Sequence, residues 1–287
     1  MLILLAGIVV TAMFWAIAWG RIHGLSEFSF FPLWIGYILL INGVSEAFFK
    51  TSLLRSMGRS FPLLFAISVP LWWFFESLNK IVKNWNYVFA YPISNTRYVI
   101  EASVDFSTVV PAVLSTAFLF SRILFRWRVI PQWRPITIRK ANLVVSVLLG
   151  LLSFCLVVLF PREAFPLVWI APILLLEPVT YAAGFPSLLR QIEKGDWLLP
   201  VSIMAATTFN GVCWELWNFY SLPKWVYEIP YVDFWHVFEM PILGYLGYPF
   251  FGLFVFSYAA SALLLVCKQD ILPMFVVDES AVSHPVN

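Results

Sequence analysis

Long apolar runs, separated by short stretches that hold most of the charge, organise this sequence. Eight runs stand out, at roughly 2–20, 29–49, 61–79, 99–121, 142–160, 165–185, 197–219 and 238–266. Each is close to the ~20 residues a helix needs to cross a bilayer core, and none contains Lys or Arg. Strands of an outer-membrane barrel alternate polar and apolar residues over about ten positions, whereas these runs are continuously apolar. The pattern predicts an all-α polytopic membrane protein with about eight transmembrane helices.

Composition narrows the class further. Of 287 residues, 61% are hydrophobic and 12% charged, against about 45–50% and about 25% in soluble domains. Disordered, collagen-like and disulfide-scaffold chains need other compositions. A net charge of +2 gives no basis for nucleic-acid binding. Aromatic residues reach 18%, high even for a membrane protein.

The bases set an orientation. Twelve of the 18 Lys and Arg residues follow even-numbered runs, six of them between Arg122 and Lys140. Cytoplasmic loops are enriched in bases, so both termini and the loop 122–141 are expected on the cytoplasmic side of a bacterial-type inner or plasma membrane. Arg21, after the first run, is a minor vote the other way. The N-terminal run has no basic n-region and reads as a retained span. Residues 268–287 read as a short, polar, mobile cytoplasmic tail.

An internal duplication comes next. FPLWIGYILL at Phe31 resembles FPLVWIAPILLL at Phe165, and SLLRS at Ser52 matches SLLRQ at Ser187. WFFESLN, with Glu76 and Asn79, matches CWELWN, with Glu215 and Asn218. NWNY, with Trp85 and Tyr87, matches KWVY, with Trp225 and Tyr227; Glu101 and Pro111 match Glu239 and Pro249. The series predicts two parallel four-helix repeats, 1–130 and 131–267, related by a pseudo-two-fold along the membrane normal, as in some transporters.

Charge inside hydrocarbon is costly and usually marks function. The acids in or beside the runs are Glu46, Glu76, Glu101, Asp105, Glu177, Glu215 and Glu239, with no base inside a run to neutralise them. Glu76 and Asn79 share a helix face, as do Glu215 and Asn218. The duplication places Glu76, Glu101, Glu215 and Glu239 at one membrane depth, either as a structural polar cluster or around a functional cavity. Glu46 and Glu177 have no evident match and read as rim or packing residues. Trp72, Trp73, Trp214 and Trp217 lie beside the acids, where ring faces can stabilise positive charge. Trp85 and Trp225 fit an interfacial aromatic belt.

The remaining candidates are weaker. Cys155, Cys213 and Cys267 lack metal-ligand spacing and read as packing residues. His23, His236 and His284 give no metal or haem pattern, and nucleotide-binding and hydrolase motifs are missing. Prolines inside the runs, such as Pro70, Pro111, Pro172 and Pro178, kink helices or free carbonyls to line a cavity.

The stretch CWELWNFYSLPKWVYEIPYVDFWHVFEMPILGYLGY resembles the membrane lycopene cyclase domain family of the heterodimeric or fused type. In it an acid after Trp precedes a Trp-x-Tyr-like stretch, and an acidic motif opens the next helix. Glu215, Trp225, Tyr227 and Glu239 are the matching residues here, with Glu76, Trp85, Tyr87 and Glu101 in the first half. FEMP departs from the family's Pro-x-Glu-Glu order. The resemblance implies non-redox cyclisation or isomerisation of a carotenoid or other isoprenoid, without cofactor or metal. Glu101 or Glu239 would act as acid and Glu76 or Glu215 as base or stabiliser, with Asn79, Asn218, Trp72, Trp73, Trp214 and Trp217 binding the substrate. The expected partners are an apolar lipid substrate and the bilayer, and not nucleic acid. A proton- or cation-coupled transporter and a non-catalytic scaffold remain as alternatives.

Overall fold

The computed structural model describes residues 1–128 and 133–277. Part of the basic linker and the end of the tail, with His284, lie outside the described residues. In the first half the helices are α1 (Leu2–Trp19), α2 (Phe30–Phe49), α3 (Leu53–Met57), α4 (Leu63–Val82), α5 (Asn95–Phe106) and α6 (Val109–Arg126), with strand β1 (Trp85–Val88) between α4 and α5. The second half holds α7 (Lys140–Leu159), α8 (Leu167–Ala182), α9 (Leu188–Glu193), α10 (Leu198–Phe219), α11 (Gly247–Cys267) and α12 (Leu272–Phe275). Between α10 and α11 lie strands β2 (Lys224–Tyr227), β3 (His236–Val237) and β4 (Met240–Pro241).

The chain is a helical membrane protein. Among the described residues five segments are long and apolar enough to cross a membrane: Leu2–Trp19, Phe30–Phe49, Asn95–Arg126, Lys140–Leu159 and Ile242–Cys267. Leu53–Ser60 and Leu63–Val82, meeting at 91°, make a sixth if taken together. Length and composition therefore carry fewer than the eight expected spans. Helix α8 has only 16 residues, about 24 Å at 1.5 Å per residue, short of the ~30 Å hydrocarbon core. Helix α10 has 22 residues but interrupts its apolar surface with Thr207, Thr208, Asn210, Glu215 and Asn218.

The all-α class holds, with two short antiparallel strand pairs, β1 with β2 and β3 with β4, in the connecting segments. One further expectation changes. The last expected span begins four residues late, at Ile242, with its α-helical part starting at Gly247, and Glu239 sits in the β3–β4 hairpin instead of on a helix.

Packing repeats between the halves. Helix α1 lies along α2, and α7 along α8; α6 contacts α2 and α4, as α11 contacts α8 and α10. The α1–α2 approach needs small residues: a Cβ on Gly7 would fall 2.3 Å from the Leu40 nitrogen, and one on Gly43 2.5 Å from Leu4 Cα. Close backbone contact through glycine is a common way for membrane helices to pack. On α7, Val144, Leu148, Leu152 and Leu159 are exposed, a surface suited to lipid.

The start of the expected mobile tail is packed. Ile271 and Phe275 are fully buried, and Phe275 meets the edges of Phe118 and Phe256. Arg122 donates to the Met274 carbonyl at 2.9 Å and lies over the Phe118 ring. Apolar Ile271, Leu272 and Phe275, spaced on one side of a short helix, account for this docking.

Candidate functional site

The site begins where α4 and α10 end. Asn79 Oδ1 accepts from the backbone N–H groups of Asn84 and Trp85 at 2.8 and 3.2 Å, and its Nδ2 donates to the Trp85 carbonyl at 2.8 Å. Asn218 clamps Trp225 in the same way, accepting from its N–H and donating to its carbonyl, both at 2.8 Å. The two amides thus fix the start of β1 and β2 rather than face a ligand.

The strands then pair with Trp85 opposite Tyr227 and Tyr87 opposite Trp225. Since Trp85 matches Trp225 and Tyr87 matches Tyr227, the register exchanges matched residues as a two-fold axis would. It also turns both tryptophans toward a shared cavity, Trp85 buried and Trp225 half-buried, instead of outward as an interfacial belt would have them.

Behind each strand sits a matched acid. Glu76 Oε1 accepts from Trp72 Nε1 at 3.1 Å, Trp85 Nε1 at 3.0 Å and the Tyr87 hydroxyl at 2.6 Å. Glu215 Oε1 accepts from the hydroxyls of Tyr227 and Tyr248 at 2.7 and 2.8 Å, and from Trp225 Nε1 at 3.4 Å. The third donor differs because Gly211 stands four residues before Glu215, where Trp72 stands before Glu76; the Tyr248 ring fills the space left open. Burial, reinforced by the adjacent carboxylates, raises the Tyr87 and Tyr227 hydroxyls well above the ordinary phenol range. Both therefore keep their protons and donate.

A second matched contact locks the halves together. Trp34 packs on Trp214 with centroids 5.0 Å apart, and Trp169, at the matching place in α8, stacks on Phe75 at 5.2 Å. Each of these tryptophans thereby meets the residue that precedes the other half's acid.

Between the two clusters lies a cavity of about 160 Å³. Trp72, Trp85, Trp214 and Trp225 wall it, with Tyr87, Tyr227 and Tyr248 between them. Glu101, Asp105 and Lys224 add polar groups to its lining. Trp73 instead binds the Ser103 hydroxyl at 3.0 Å, and Trp217 is buried against Trp34 and Tyr37.

Bases do reach two of the expected acids, from just outside the apolar runs. Arg97 Nε pairs with Glu101 at 2.6 Å and its Nη2 with Glu27 at 3.1 Å. Lys224 Nζ pairs with Glu239. Asp105 has no ion pair among the described residues. Glu239, held by Lys224, and Glu101 therefore do not occupy equivalent places: only Glu101 lines the cavity.

The other two acids are anchors. Glu46 accepts from Ser52 at 2.8 Å, and Ser52 caps α3. Glu177 accepts from Ser187 and Ser257 and from the N–H groups of Leu188 and Leu189. Asn42 does the same work in the first half, accepting from Leu54 N–H and donating to Ser115. Glu177 therefore has a match after all, in an amide. Sequence reasoning also missed Tyr248, whose signal was Gly211 in the place of a tryptophan.

No family model, curated protein or solved structure matches the chain, so the candidate site rests on its own geometry.

Proposed function

We propose that this protein is an intramembrane, non-redox cyclase or isomerase acting on a carotenoid or other isoprenoid lipid. In this reading it is built as two parallel four-helix repeats with both termini cytoplasmic. The single observation that carries it is the aromatic-walled cavity between the matched clusters, with carboxyl groups in the wall and behind it. Such a lining suits an apolar ligand with few polar contacts, and the substrate enters from the lipid.

The chemistry is acid–base throughout. A wall carboxyl delivers its proton to a terminal alkene carbon, and the two π electrons form the new C–H bond. The carbocation left on the neighbouring carbon is attacked by a second alkene, closing a ring. Loss of a proton then restores a double bond, so no oxidant is needed. Arg97 engages Glu101, whereas no base pairs with Asp105 among the described residues, and Asp105 is accordingly assigned as the proton donor. The faces of Trp72, Trp85, Trp214 and Trp225 offer the cation its electrostatic support. The closure of Glu76 and Glu215 on three aromatic donors each favours this reading over a transporter, which would need those acids open to an aqueous path.

The test is incubation of purified protein with lycopene and related polyenes in D₂O, with chromatography and mass analysis of the products. A ring-closed or isomerised product carrying one deuterium is expected, and its formation should be lost in Asp105→Asn. Unchanged polyenes across the series, with folded protein, would overturn the proposal.

A further inference from the structure

The two matched clusters are chemically unequal, and the difference suggests where the proton leaves. Glu76 accepts from two indoles and one phenol, and an indole N–H is a donor only. Glu215 accepts from two phenols, Tyr227 and Tyr248, and from one more distant indole, Trp225. Its other oxygen, Oε2, is buried without a partner among the described residues, on a residue that is 0% exposed. A buried, unpaired carboxylate oxygen costs stability and calls for a reason. A place to receive a proton is such a reason.

Among the three tyrosines, Tyr248 is the one best placed to take it. The Tyr227 oxygen already accepts from Trp225 Nε1 at 2.9 Å, while the Tyr248 hydroxyl donates to Glu215 at 2.8 Å and accepts from no indole among the described residues. The Tyr248 ring stacks on Trp214 with centroids 6.0 Å apart, and both line the cavity.

Resting on the cyclase reading, we infer that Tyr248, backed by Glu215, is the base that ends the reaction. The C–H bond next to the carbocation breaks, and its electron pair forms the new double bond. Its proton goes to the Tyr248 oxygen as the hydroxyl proton of Tyr248 passes along the hydrogen bond to Glu215. Glu215 finishes neutral, and the proton returns through solvent to Asp105 before the next turnover. Tyr248 therefore decides which of the candidate C–H bonds breaks, and so where the new double bond lies. Gly211 is a positioning residue, because it alone makes room for the Tyr248 ring.

The experiment compares Tyr248→Phe, Gly211→Ala and Glu215→Gln with the unsubstituted protein, measuring deuterium uptake and the ratio of double-bond isomers. The expected result for Tyr248→Phe is retained deuterium at the protonated carbon and an isomer ratio shifted about a hundredfold, the lower end of what a general base contributes. Gly211→Ala should move the ratio in the same direction while leaving the phenol in the chain. Tyr87→Phe, the matched change in the first half, should alter rate without altering the ratio. Should Glu215→Gln fail to fold, Tyr248→Phe decides. Isomer ratios unchanged in Tyr248→Phe and Gly211→Ala, with normal deuterium-labelled turnover, would overturn this inference and leave the cyclase reading standing. No turnover of any polyene by the unsubstituted protein would remove both.

Discussion

A Cβ atom on Gly211 would fall 2.4 Å from the ring of Tyr248. Real side chains do not approach so closely, so the fold of the second cluster depends on having no side chain at this position. In the first half Trp72 occupies the corresponding place and supplies the third hydrogen bond to Glu76 itself. The two halves thus complete the same shell around a carboxyl group by different routes, one from within its helix and one from the neighbouring helix α11.

Gly211→Ala is accordingly expected to destabilise the protein by about 1–3 kcal/mol, the usual cost of overpacking a well-filled core. Combined with Tyr248→Ala, which removes the ring, the added cost of the alanine at 211 should largely vanish. A double-mutant cycle by denaturant unfolding in detergent measures this coupling. Additive effects would show that the ring moves aside without loss.

A second prediction concerns the mouth of the cavity. Glu27 accepts from the Tyr91 hydroxyl and from Arg97, and lines the cavity as well. The Tyr91 hydrogen bond, with the Arg97 contacts, holds the Glu27 carboxyl below its ordinary value of 4.5. A carboxyl with a folded-state pKa below its unfolded value adds stability that is fully present above the unfolded value. That stability is lost as pH falls through the folded value. Unfolding measured as a function of pH should therefore show the unsubstituted protein losing stability more steeply below about pH 4.5 than Glu27→Gln. Parallel curves would show that the Glu27–Tyr91–Arg97 contacts carry no linkage.

The helical, membrane-embedded class was legible in the apolar runs, and so was the place of the site. Repetition of Glu76 with Asn79 and of Trp85 with Tyr87 pointed to residues that do come together. Their roles were less legible. Asn79 and Asn218 share a helix face with the acids, yet they satisfy backbone groups in the turn beyond, a demand that side-chain spacing does not reveal. Trp85 and Trp225 sit in short polar stretches that look interfacial, and only the pairing of distant strands turns them inward. Arg97 and Lys224 lie outside the apolar runs, but their long side chains reach back to Glu101 and Glu239. A search confined to the runs therefore left those acids without partners.

The match between Asn42 and Glu177 was hidden because the residue type changes while the task does not. Both side chains end the FPL-headed apolar stretch of their half. Each holds the backbone of the following short helix, through Leu54 N–H at 2.8 Å and Leu189 N–H at 3.1 Å. Each also bonds a serine on a core helix, Ser115 or Ser257.

This equivalence makes a graded prediction for Glu177. In Glu177→Gln the amide oxygen still accepts from Leu189, and its nitrogen donates to Ser257 as that of Asn42 does to Ser115. The nitrogen then leaves only the Leu188 N–H without its acceptor, so the cost should stay near ~1–3 kcal/mol, that of one unsatisfied buried donor. Glu177→Leu keeps the volume but strands the buried N–H of Leu188 and the half-buried N–H of Leu189, each worth up to about 1–3 kcal/mol when unsatisfied, and should cost clearly more. Asn42→Leu should behave like Glu177→Leu but more mildly, since it strands one backbone donor instead of two. Unfolding in detergent ranks the three variants. Glu177→Gln as damaging as Glu177→Leu would mean that the negative charge matters there, and not the hydrogen-bonding pattern that Glu177 shares with Asn42.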